Sequence, residues 1–255
     1  MPPAPRFDLS GQYALVIGGT SGIGKAIAQG YLENGARVII VGRNQAKLAA
    51  ALAELKPLGE AFGYAADVST QEGLRGLVGA VLAHHGHLDI LVNCQGLTKL
   101  MPAEDFTRAD WRSIMDTDLE SVFFACTEVG RHMLGRGCGS IINIASLASH
   151  RGWPRSALYA IAKAGVLSLT QTLGAEWAAR GVRVNAISPG FFMTELNRDK
   201  MSPERKALAL SRTPAGRFGE VDELVGAAIY LASPGAGFVT GQTMAVDGGF
   251  LASGL

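Results

Sequence analysis

Cysteine, net charge and long apolar runs are all scarce in this sequence. Its 255 residues include three cysteines, none arranged as CxxC. This pattern argues against a disulfide framework and against a zinc site, so no metal is expected and a reducing, cytoplasmic setting fits best. Lysine and arginine number 23 against 22 aspartates and glutamates, and the net charge of +1 disfavours a nucleic-acid partner.

No uninterrupted apolar stretch approaches the ~18 residues of a membrane span. Residues 1–5 have neither the charged start nor the apolar stretch of a secretion signal. We therefore expect a soluble protein that does not bind membranes. Hydrophobic residues still make up 48% of the chain and glycines number 33, which is typical of a globular α/β protein with many tight turns.

Apolar strand patterns alternate with helical patterns along nearly the whole chain. The strand patterns lie at residues 13–17, 37–41, 61–65, 88–92, 140–144, 181–187 and 243–246. The helical patterns lie at residues 24–33, 44–55, 70–85, 108–134, 156–180 and 221–232. This alternation predicts an α/β fold, a doubly wound parallel seven-stranded sheet with helices on both faces. We expect a single domain over residues 1–255, with a lid over a site at about 190–217.

Three glycines, Gly18, Gly22 and Gly24, lie between the first strand and the first helix. The first permits a tight turn, the second lets backbone N–H groups approach a pyrophosphate, and the third lets the helix pack on the strand. A plain glycine-rich turn is the alternative, which the flanking strand and helix disfavour. The turn therefore predicts a dinucleotide site, which also includes the intervening residues Thr20, Ser21 and Ile23.

The end of the second strand bears on the choice of cofactor. An acidic residue there would bind the ribose 2′-hydroxyl of NAD and repel a 2′-phosphate, but Gly42 takes that place. Arg43, beside Asn44, can pair with the phosphate, so the sequence predicts NADP(H), unless Arg43 is only a solvated surface residue. Asp67 and Val68 follow the third strand, where an adenine contact is expected, although this aspartate could instead cap the next helix.

Tyr159 and Lys163 are spaced i, i+4 on a predicted helix, so the phenol and the ammonium share one helix face. Ser146 lies just beyond a predicted strand, at the edge of a parallel sheet where ligands of open α/β folds bind. Taken alone, a Tyr-x-x-x-Lys pair is usually a pair of surface residues, but the position of Ser146 at the sheet edge favours a functional site.

The ordered set of motifs resembles the short-chain dehydrogenase/reductase family. In chain order the motifs are Gly18-x-x-x-Gly22-x-Gly24, Asn93-Cys94-Gln95-Gly96, Ser146, Tyr159-x-x-x-Lys163, Asn185-Ala-Ile-Ser-Pro189-Gly190 and Asp247-Gly248-Gly249. The resemblance implies a single Rossmann domain and reversible hydride transfer between NAD(P)H and a carbonyl or alcohol. It also implies cofactor contacts from Asn93, Gly96, Pro189, Gly190 and Thr194.

The resemblance assigns roles that agree with the chemistry of the side chains. Tyr159 is the expected acid, and the base in the reverse direction, while Ser146 holds the substrate oxygen. A free phenol ionises near pH ~10, and a nearby cation favours its phenolate form. Lys163 would supply this charge and, by the resemblance, bind the nicotinamide ribose.

Two positions depart from the family's usual pattern. Asp118 replaces an asparagine, and its carboxylate could pair with Lys163 and weaken the effect of that cation on Tyr159, or keep a water relay by its oxygens. Gln95 places a larger polar group beside the expected cofactor path. These changes leave a second hypothesis open, namely an NADP(H)-binding redox sensor or structural subunit with weak or no catalysis.

The expected substrate pocket offers two kinds of side chain. His150, Arg151 and Arg155 could hold the carboxylate of a sugar acid or keto acid. An apolar ketone would instead suit the aromatic and sulfur-containing residues Trp153, Phe191, Phe192 and Met193. Residues 213–219 and 247–250 are similar to bacterial sugar and sugar-acid dehydrogenases of the family. Apolar residues on more than one face of the long helices, with the resemblance, favour a homotetramer.

Overall fold

Seven parallel strands form the sheet in the computed structural model, which describes residues 7–194 and 201–253. They are β1 (Tyr13–Ile17), β2 (Arg37–Gly42), β3 (Ala61–Ala65), β4 (Ile90–Asn93), β5 (Gly139–Ile144), β6 (Val182–Pro189) and β7 (Thr243–Val246). Their order across the sheet is β3-β2-β1-β4-β5-β6-β7. The sequence prediction of a doubly wound parallel sheet is confirmed.

Helices cover both faces of this sheet. They are α1 (Gly22–Glu33), α2 (Gln45–Leu55), α3 (Gln71–His85), α4 (Arg108–Met115), α5 (Ser121–Arg136), α6 (Ala157–Trp177), α7 (Pro203–Ser211) and α8 (Val225–Ala232). One apolar core joins α1, α2 and α8 to one face, and a second core joins α3, α5 and α6 to the other. Strand side chains alternate between these cores: Val16 enters the first core and Leu15 the second, and both are fully buried.

Among the described residues, no helix combines the length and the apolar character needed to cross a membrane.

The predicted long helix over residues 108–134 is not one regular helix. Between α4 and α5 lies a five-residue π-helical segment, Asp116–Glu120, in which the chain continues along the same path. A helical hydrophobic pattern does not distinguish the two forms, because it records which residues are apolar and not which carbonyl oxygen each N–H binds. Two other predicted helix starts are capping residues: Asn44 accepts a hydrogen bond from Lys47 N, and Thr70 accepts one from Gly73 N.

The expected lid at about 190–217 is described in part. Residues 195–200 lie outside the described residues, and α7 lies in the second described part of the lid. The start of the segment is tied to its end by two backbone hydrogen bonds, from Met193 N to Gly219 O and from Gly219 N to Phe191 O, at 3.1 and 2.9 Å. Phe191 also contacts the rings of Trp153, Phe218 and Phe250, so aromatic packing joins the lid to the loop after β5 and to the C-terminal segment.

The glycine turn after β1 requires the absence of side chains at specific points. Gly18 and Gly22 have positive φ angles of 79° and 52°, which L side chains rarely adopt. Gly24 lies inside α1, and a Cβ there would overlap the carbonyl oxygen of Gly18. The glycine at this position therefore lets the helix pack directly on the turn.

This packing predicts opposite effects for two Gly→Ala substitutions in helices. Gly24→Ala should lower the free energy of unfolding by about 1–3 kcal/mol, because backbone atoms must shift to admit the methyl group. Gly76→Ala in α3 meets no atom within 4 Å and should raise this free energy by up to about 1 kcal/mol. Urea unfolding of both variants measures the contrast, and equal effects would contradict it.

Candidate active site

The carboxyl ends of the central strands meet at one edge of the sheet. Ile17 is paired with Asn93, and Asn93 with Asn143, in the parallel register. The glycine turn after β1, the segment after β4 and the loop after β5 therefore start side by side, as expected for ligand sites of this fold class. The predicted site residues in the strand connections are brought to this edge from six strand ends, those of β1 to β6.

The glycine turn and the segment after β4 approach each other closely. A Cβ on Gly18 would lie 2.8 Å from Cys94 O, so only a glycine fits there. Ser21 precedes α1 without capping it through its side chain, and the first turn of α1 contains no acidic residue. The first N–H groups of α1 thus remain available, and a helix N-terminus of this kind favours a phosphate. Thr20 lies against Gly42, where a Cβ would be 2.6 Å from the threonine Cγ2.

Arg43 is exposed at the end of β2, and its positive charge contributes slightly to lowering the pKa of the Asp67 carboxyl. The Asp67 carboxylate accepts hydrogen bonds from the hydroxyl and the backbone N–H of Ser69 at 2.7 and 3.0 Å, and these hydrogen bonds lower its pKa. The alternative that Asp67 caps the next helix is wrong, because Thr70 caps it. Val68 packs its side chain into the core, which leaves its backbone for any adenine contact.

Asn93 is buried and directs its side chain into the core. Its Nδ2 donates to Asn143 Oδ1 at 2.9 Å and to Cys126 Sγ at 3.3 Å. Any cofactor contact of Asn93 is therefore left to its backbone. Gly96, three residues on, lies against two charged groups, since a Cβ there would be 2.9 Å from Asp118 Oδ2 and 3.4 Å from Lys163 Nζ.

Lys163 lies at the centre of the candidate catalytic residues and is 4% exposed. Its Nζ donates to the carbonyl oxygen of Ile144, the last residue of β5, at 3.0 Å. The same Nζ lies 5.9 Å from the centre of the Tyr159 ring. Ser146 follows Ile144 by two residues, and its Oγ accepts a hydrogen bond from Ala148 N at 3.2 Å. The half-buried Tyr159 makes no side-chain hydrogen bond to any described residue.

Asp118 is fully buried in the π-helical segment and faces Lys163. Its Oδ2 lies 3.8 Å from Lys163 Nζ, and its Oδ1 accepts a hydrogen bond from Leu97 N at 2.8 Å. Burial raises the pKa of this carboxyl to about 6, although Lys163 and the Leu97 N–H act in the opposite direction. The carboxylate therefore forms a long ion pair with Lys163 without a direct hydrogen bond to it.

The remaining predicted cofactor residues follow β6. Pro189 ends this strand, and Gly190 N donates to Val246 O at 2.9 Å. Thr194 lies at the start of the lid, close enough to the glycine turn that a Cβ on Gly22 would be 3.9 Å from its Cγ2. These residues bring the lid segment next to the proposed pyrophosphate turn.

The charged residues expected in the substrate pocket differ in their availability. Arg151 donates to the backbone oxygens of Leu251 and Ser253 at 2.6 and 3.2 Å, so its guanidinium is engaged with the C-terminal segment. His150 Nε2 lies 2.9 Å from the hydroxyl of the buried Ser188. Arg155 is exposed, has a positive φ of 67°, and interacts electrostatically with Arg205 on the lid helix α7.

The sequence did not predict Arg205, and it did not predict the direction of the Gln95 side chain. Arg205 lies on the short lid helix α7, whose pattern carries no functional signal. Gln95 was expected beside the cofactor path, but it is buried and donates to Ser121 Oγ at 3.0 Å. Its backbone lies beside the glycine turn, since a Cβ on Gly18 would be 2.9 Å from Gln95 N, but its amide is directed into the core by a partner 26 residues away in the chain.

Comparisons with known proteins agree with this geometry. A family model described as Enoyl-(Acyl carrier protein) reductase matches residues 18–251. Gluconate 5-dehydrogenase of Gluconobacter oxydans (strain 621H) is 40% identical over 249 residues, which is 97% of each chain.

Two solved structures have the same fold at similar identity. A gluconate 5-dehydrogenase from Burkholderia cenocepacia J2315, in complex with NADP and tartrate, superposes with a TM-score of 0.93 at 40% identity, covering 98% of each chain. A short-chain type dehydrogenase/reductase from Mycobacterium marinum gives a TM-score of 0.92 at 33% identity, covering 97% of this chain and 98% of the other.

These matches extend over nearly the whole chain and support the oxidoreductase interpretation, whereas they give no support to a non-catalytic binding protein. The resemblance carried by the sequence motifs, including the similarity to sugar-acid dehydrogenases, is confirmed. The chain belongs to the short-chain dehydrogenase/reductase family of oxidoreductases.

Proposed function

We propose that this protein transfers a hydride between NADP(H) and the carbonyl or secondary alcohol of a sugar acid or a related keto acid. One observation carries the proposal. The buried Lys163 ammonium lies under the Tyr159 ring and is bound to the carbonyl oxygen of Ile144, two residues before Ser146. A single cation thereby joins the helix that carries the proton donor to the strand end that carries the oxygen-binding hydroxyl.

The residues around the glycine turn fit a dinucleotide. A side chain at Gly18 or Gly24 would fill the space beside the backbone of the turn, and the first N–H groups of α1 have no side-chain cap. When bound, NADPH would supply the hydride. Gly18, Thr20, Ser21, Gly22, Ile23 and Gly24 are proposed to hold its pyrophosphate, and the other predicted cofactor residues, Asn44, Asp67, Val68, Asn93, Gly96, Pro189, Gly190 and Thr194, to contact its remaining parts.

The chemistry at the substrate oxygen is proposed to use three side chains. During reduction, negative charge develops on this oxygen, and the Tyr159 hydroxyl donates a proton to it. Ser146 Oγ donates a hydrogen bond to the same oxygen and stabilises the developing charge. Lys163 favours the resulting phenolate electrostatically and is also proposed to bind the nicotinamide ribose. In oxidation the Tyr159 phenolate accepts the proton. Asp118 takes part through Lys163, which it faces at 3.8 Å.

The preference for a phosphorylated cofactor is supported by Gly42 and Arg43. No carboxylate stands at the end of β2 to repel a 2′-phosphate, and the exposed Arg43 guanidinium is free to form a charge-assisted pair with it. The Burkholderia cenocepacia relative has NADP in its structure.

An anionic substrate is supported by Arg155 and by Arg205 on the lid helix α7. The pKa of Arg205 is lowered by burial and, to a smaller extent, by the charge of Arg155, and neither arginine forms an ion pair with a residue in the ranges 7–194 and 201–253. Guanidinium groups without a counter-ion favour a carboxylate ligand. The Gluconobacter oxydans relative is named gluconate 5-dehydrogenase, and the Burkholderia cenocepacia structure contains tartrate. Gluconate and tartrate are both hydroxy acids.

We also propose one domain over residues 1–255 with a lid at about 190–217, a cytoplasmic location, and a homotetramer. The proposed location is supported by the three free cysteines. The homotetramer is supported by exposed apolar side chains on the helices of one face, where Trp111, Phe123 and Ile161 are 46, 43 and 47% exposed. An open groove there is lined by Met115, Leu119, Glu120, Phe123 and Leu169, and a second copy of this chain would cover it.

Tyr159→Phe tests the proposed chemistry. The substitution removes the hydroxyl that exchanges the proton, so turnover should fall by a factor of about 10²–10⁴ while NADPH binding persists. The assay follows NADPH formation with D-gluconate and a panel of other sugar acids, hydroxy acids and polyols, and fluorescence measures NADPH binding. Tyr64→Phe, a half-buried tyrosine on β3 away from the site, is the matched control. Retained turnover in Tyr159→Phe would refute the assignment, and NADPH binding without turnover in the wild type would favour a binding protein.

Arg43→Ala tests the cofactor preference. Loss of a charge-assisted hydrogen bond should raise the Kd for NADPH about 10–100-fold and leave the Kd for NADH nearly unchanged. Arg180→Ala is the control, because Arg180 precedes β6 and lies at the opposite edge of the sheet. Titration of each variant with both cofactors measures the effect, and tighter wild-type binding of NADH would overturn the preference.

Phe123→Glu tests the assembly. A second carboxylate in this groove, beside Glu120, should disfavour burial of the groove between two copies, so light scattering should show a tetramer for the wild type and a smaller species for the variant. Phe238→Glu is the control, since Phe238 is fully exposed elsewhere on the surface. A wild-type monomer, or a tetramer that persists in Phe123→Glu, would contradict the proposed interface.

A further inference from the structure

Two side-chain oxygens in the described part of the chain are buried without a hydrogen-bond partner: Gln95 Oε1 and Asp118 Oδ2. They belong to one small region, since Gln95 adjoins Gly96, whose Cα faces Asp118 Oδ2. Leaving a buried acceptor unsatisfied costs about 1–3 kcal/mol. Two such atoms in one region therefore call for an explanation beyond packing.

The orientation of the Gln95 amide follows from its neighbours. The Ser121 hydroxyl donates to Thr117 O at 2.6 Å, so its oxygen is left to accept. Gln95 Nε2 donates to this oxygen at 3.0 Å and also approaches Asn93 Oδ1 at 3.4 Å. With the NH₂ group fixed on that side, Oε1 points to a place without donors. The amide therefore keeps its hydrogen bond to Ser121, while its oxygen Oε1 receives no hydrogen bond.

The segment after β4 is hydrogen-bonded to the π-helical segment and to the residue that directly follows it. Gln95 binds Ser121, the first residue of α5, and Leu97 N binds the Asp118 carboxylate at 2.8 Å. The two donors are two residues apart on one segment, and their acceptors are three residues apart on the other. π-helical turns are rare and depend on such local contacts, and they occur frequently at functional sites. These contacts keep the Asp118 carboxyl directed at Lys163.

Few other charged groups face this carboxyl. On α6 the carboxyl faces Lys163, whose Nζ also lies over the Tyr159 ring. The Cys94 thiol on the segment after β4 interacts electrostatically with Lys163 but stays neutral, because burial raises its pKa to about 11. Of the neighbouring charged residues, Arg112 on α4 and Glu120 in the π-helical segment are exposed, and Asp116 in the same segment is half-buried. The electrostatics at Lys163 therefore depend mainly on Asp118.

We propose that Gln95 is a positioning residue: through Ser121 it holds the π-helical segment so that the Asp118 carboxylate stays opposite Lys163 and offsets part of its charge. This inference rests on the proposed role of Tyr159 as the proton donor. An ammonium whose charge is partly offset favours the Tyr159 phenolate less than a lone ammonium does. Gln95 and Asp118 together then set the pH at which Tyr159 ionises, and with it the pH range in which the enzyme can accept a proton.

The test measures the ionisation of Tyr159 directly, without a substrate. The near-ultraviolet absorbance of the phenolate is titrated in the full chain, and subtraction of the Tyr159→Phe titration isolates the contribution of this residue. Asp118→Asn should lower the midpoint by about 1 pH unit, because the ammonium is no longer offset by a carboxylate. Gln95→Ala and Ser121→Ala should shift the midpoint in the same direction by a smaller amount.

A double-mutant cycle distinguishes positioning from a general structural effect. If Gln95 acts through Asp118, Gln95→Ala adds no shift in the Asp118→Asn background. Ser140→Ala, which removes a buried 2.9 Å hydrogen bond to Leu231 O on the same sheet, should leave the midpoint unchanged. Ser121→Ala provides the same test if Gln95→Ala does not fold.

An unmoved midpoint in both Gln95→Ala and Ser121→Ala, or an equal shift in the Asp118→Asn background, would overturn the proposal. Loss of the proposed function would look different, since it would appear as undiminished turnover in Tyr159→Phe. The absorbance titration does not depend on turnover, so the two failures are distinguishable.

Discussion

The hydrogen bond from Lys163 Nζ to the carbonyl oxygen of Ile144 is the contact on which the site depends. Lys163 is nearly fully buried, and a buried ammonium is stable only when its donors and its charge are matched. The bond satisfies one donor, and Asp118 provides the opposite charge at 3.8 Å. Because Ile144 ends β5 and Lys163 lies one turn after Tyr159 on α6, this contact fixes the position of the helix relative to the strand end that leads to Ser146.

The parallel sheet explains why these groups meet although they are far apart in sequence. Every strand ends at the same edge, so the glycine turn, the segment after β4 and the loop after β5 converge without long connections. The two apolar cores and the opposite edge of the sheet stabilise the fold. Substitution in the connections can therefore alter the cofactor or substrate contacts while the cores keep the strand ends in register.

The sequence was sufficient for the sheet and for which residues reach its edge, because these depend on local patterns of apolar residues and glycine. The bounds of β3 and β7 agree with the predicted ranges. The sequence was insufficient to predict the direction in which individual polar side chains point. Asn93 ends β4 and Gln95 follows it, and the direction of each side chain into the core depends on a distant partner, Asn143 for Asn93 and Ser121 for Gln95. The π-helical segment escaped prediction for a related reason, since periodicity reports the buried face and not the hydrogen-bond pattern.

Asp118 illustrates how a costly group can persist in a site of this kind. Its carboxyl is buried with one oxygen unpartnered, and its raised pKa of about 6 means that the ionised form is disfavoured relative to water. An asparagine of nearly the same shape would avoid the charge, but it would also leave the Lys163 ammonium without a counter-charge in a buried setting. The Asp118 carboxylate therefore destabilises the fold through its own desolvation and stabilises it through the ion pair. The balance between these two effects depends on the distance between the groups, which the contacts from Gln95 and Leu97 fix.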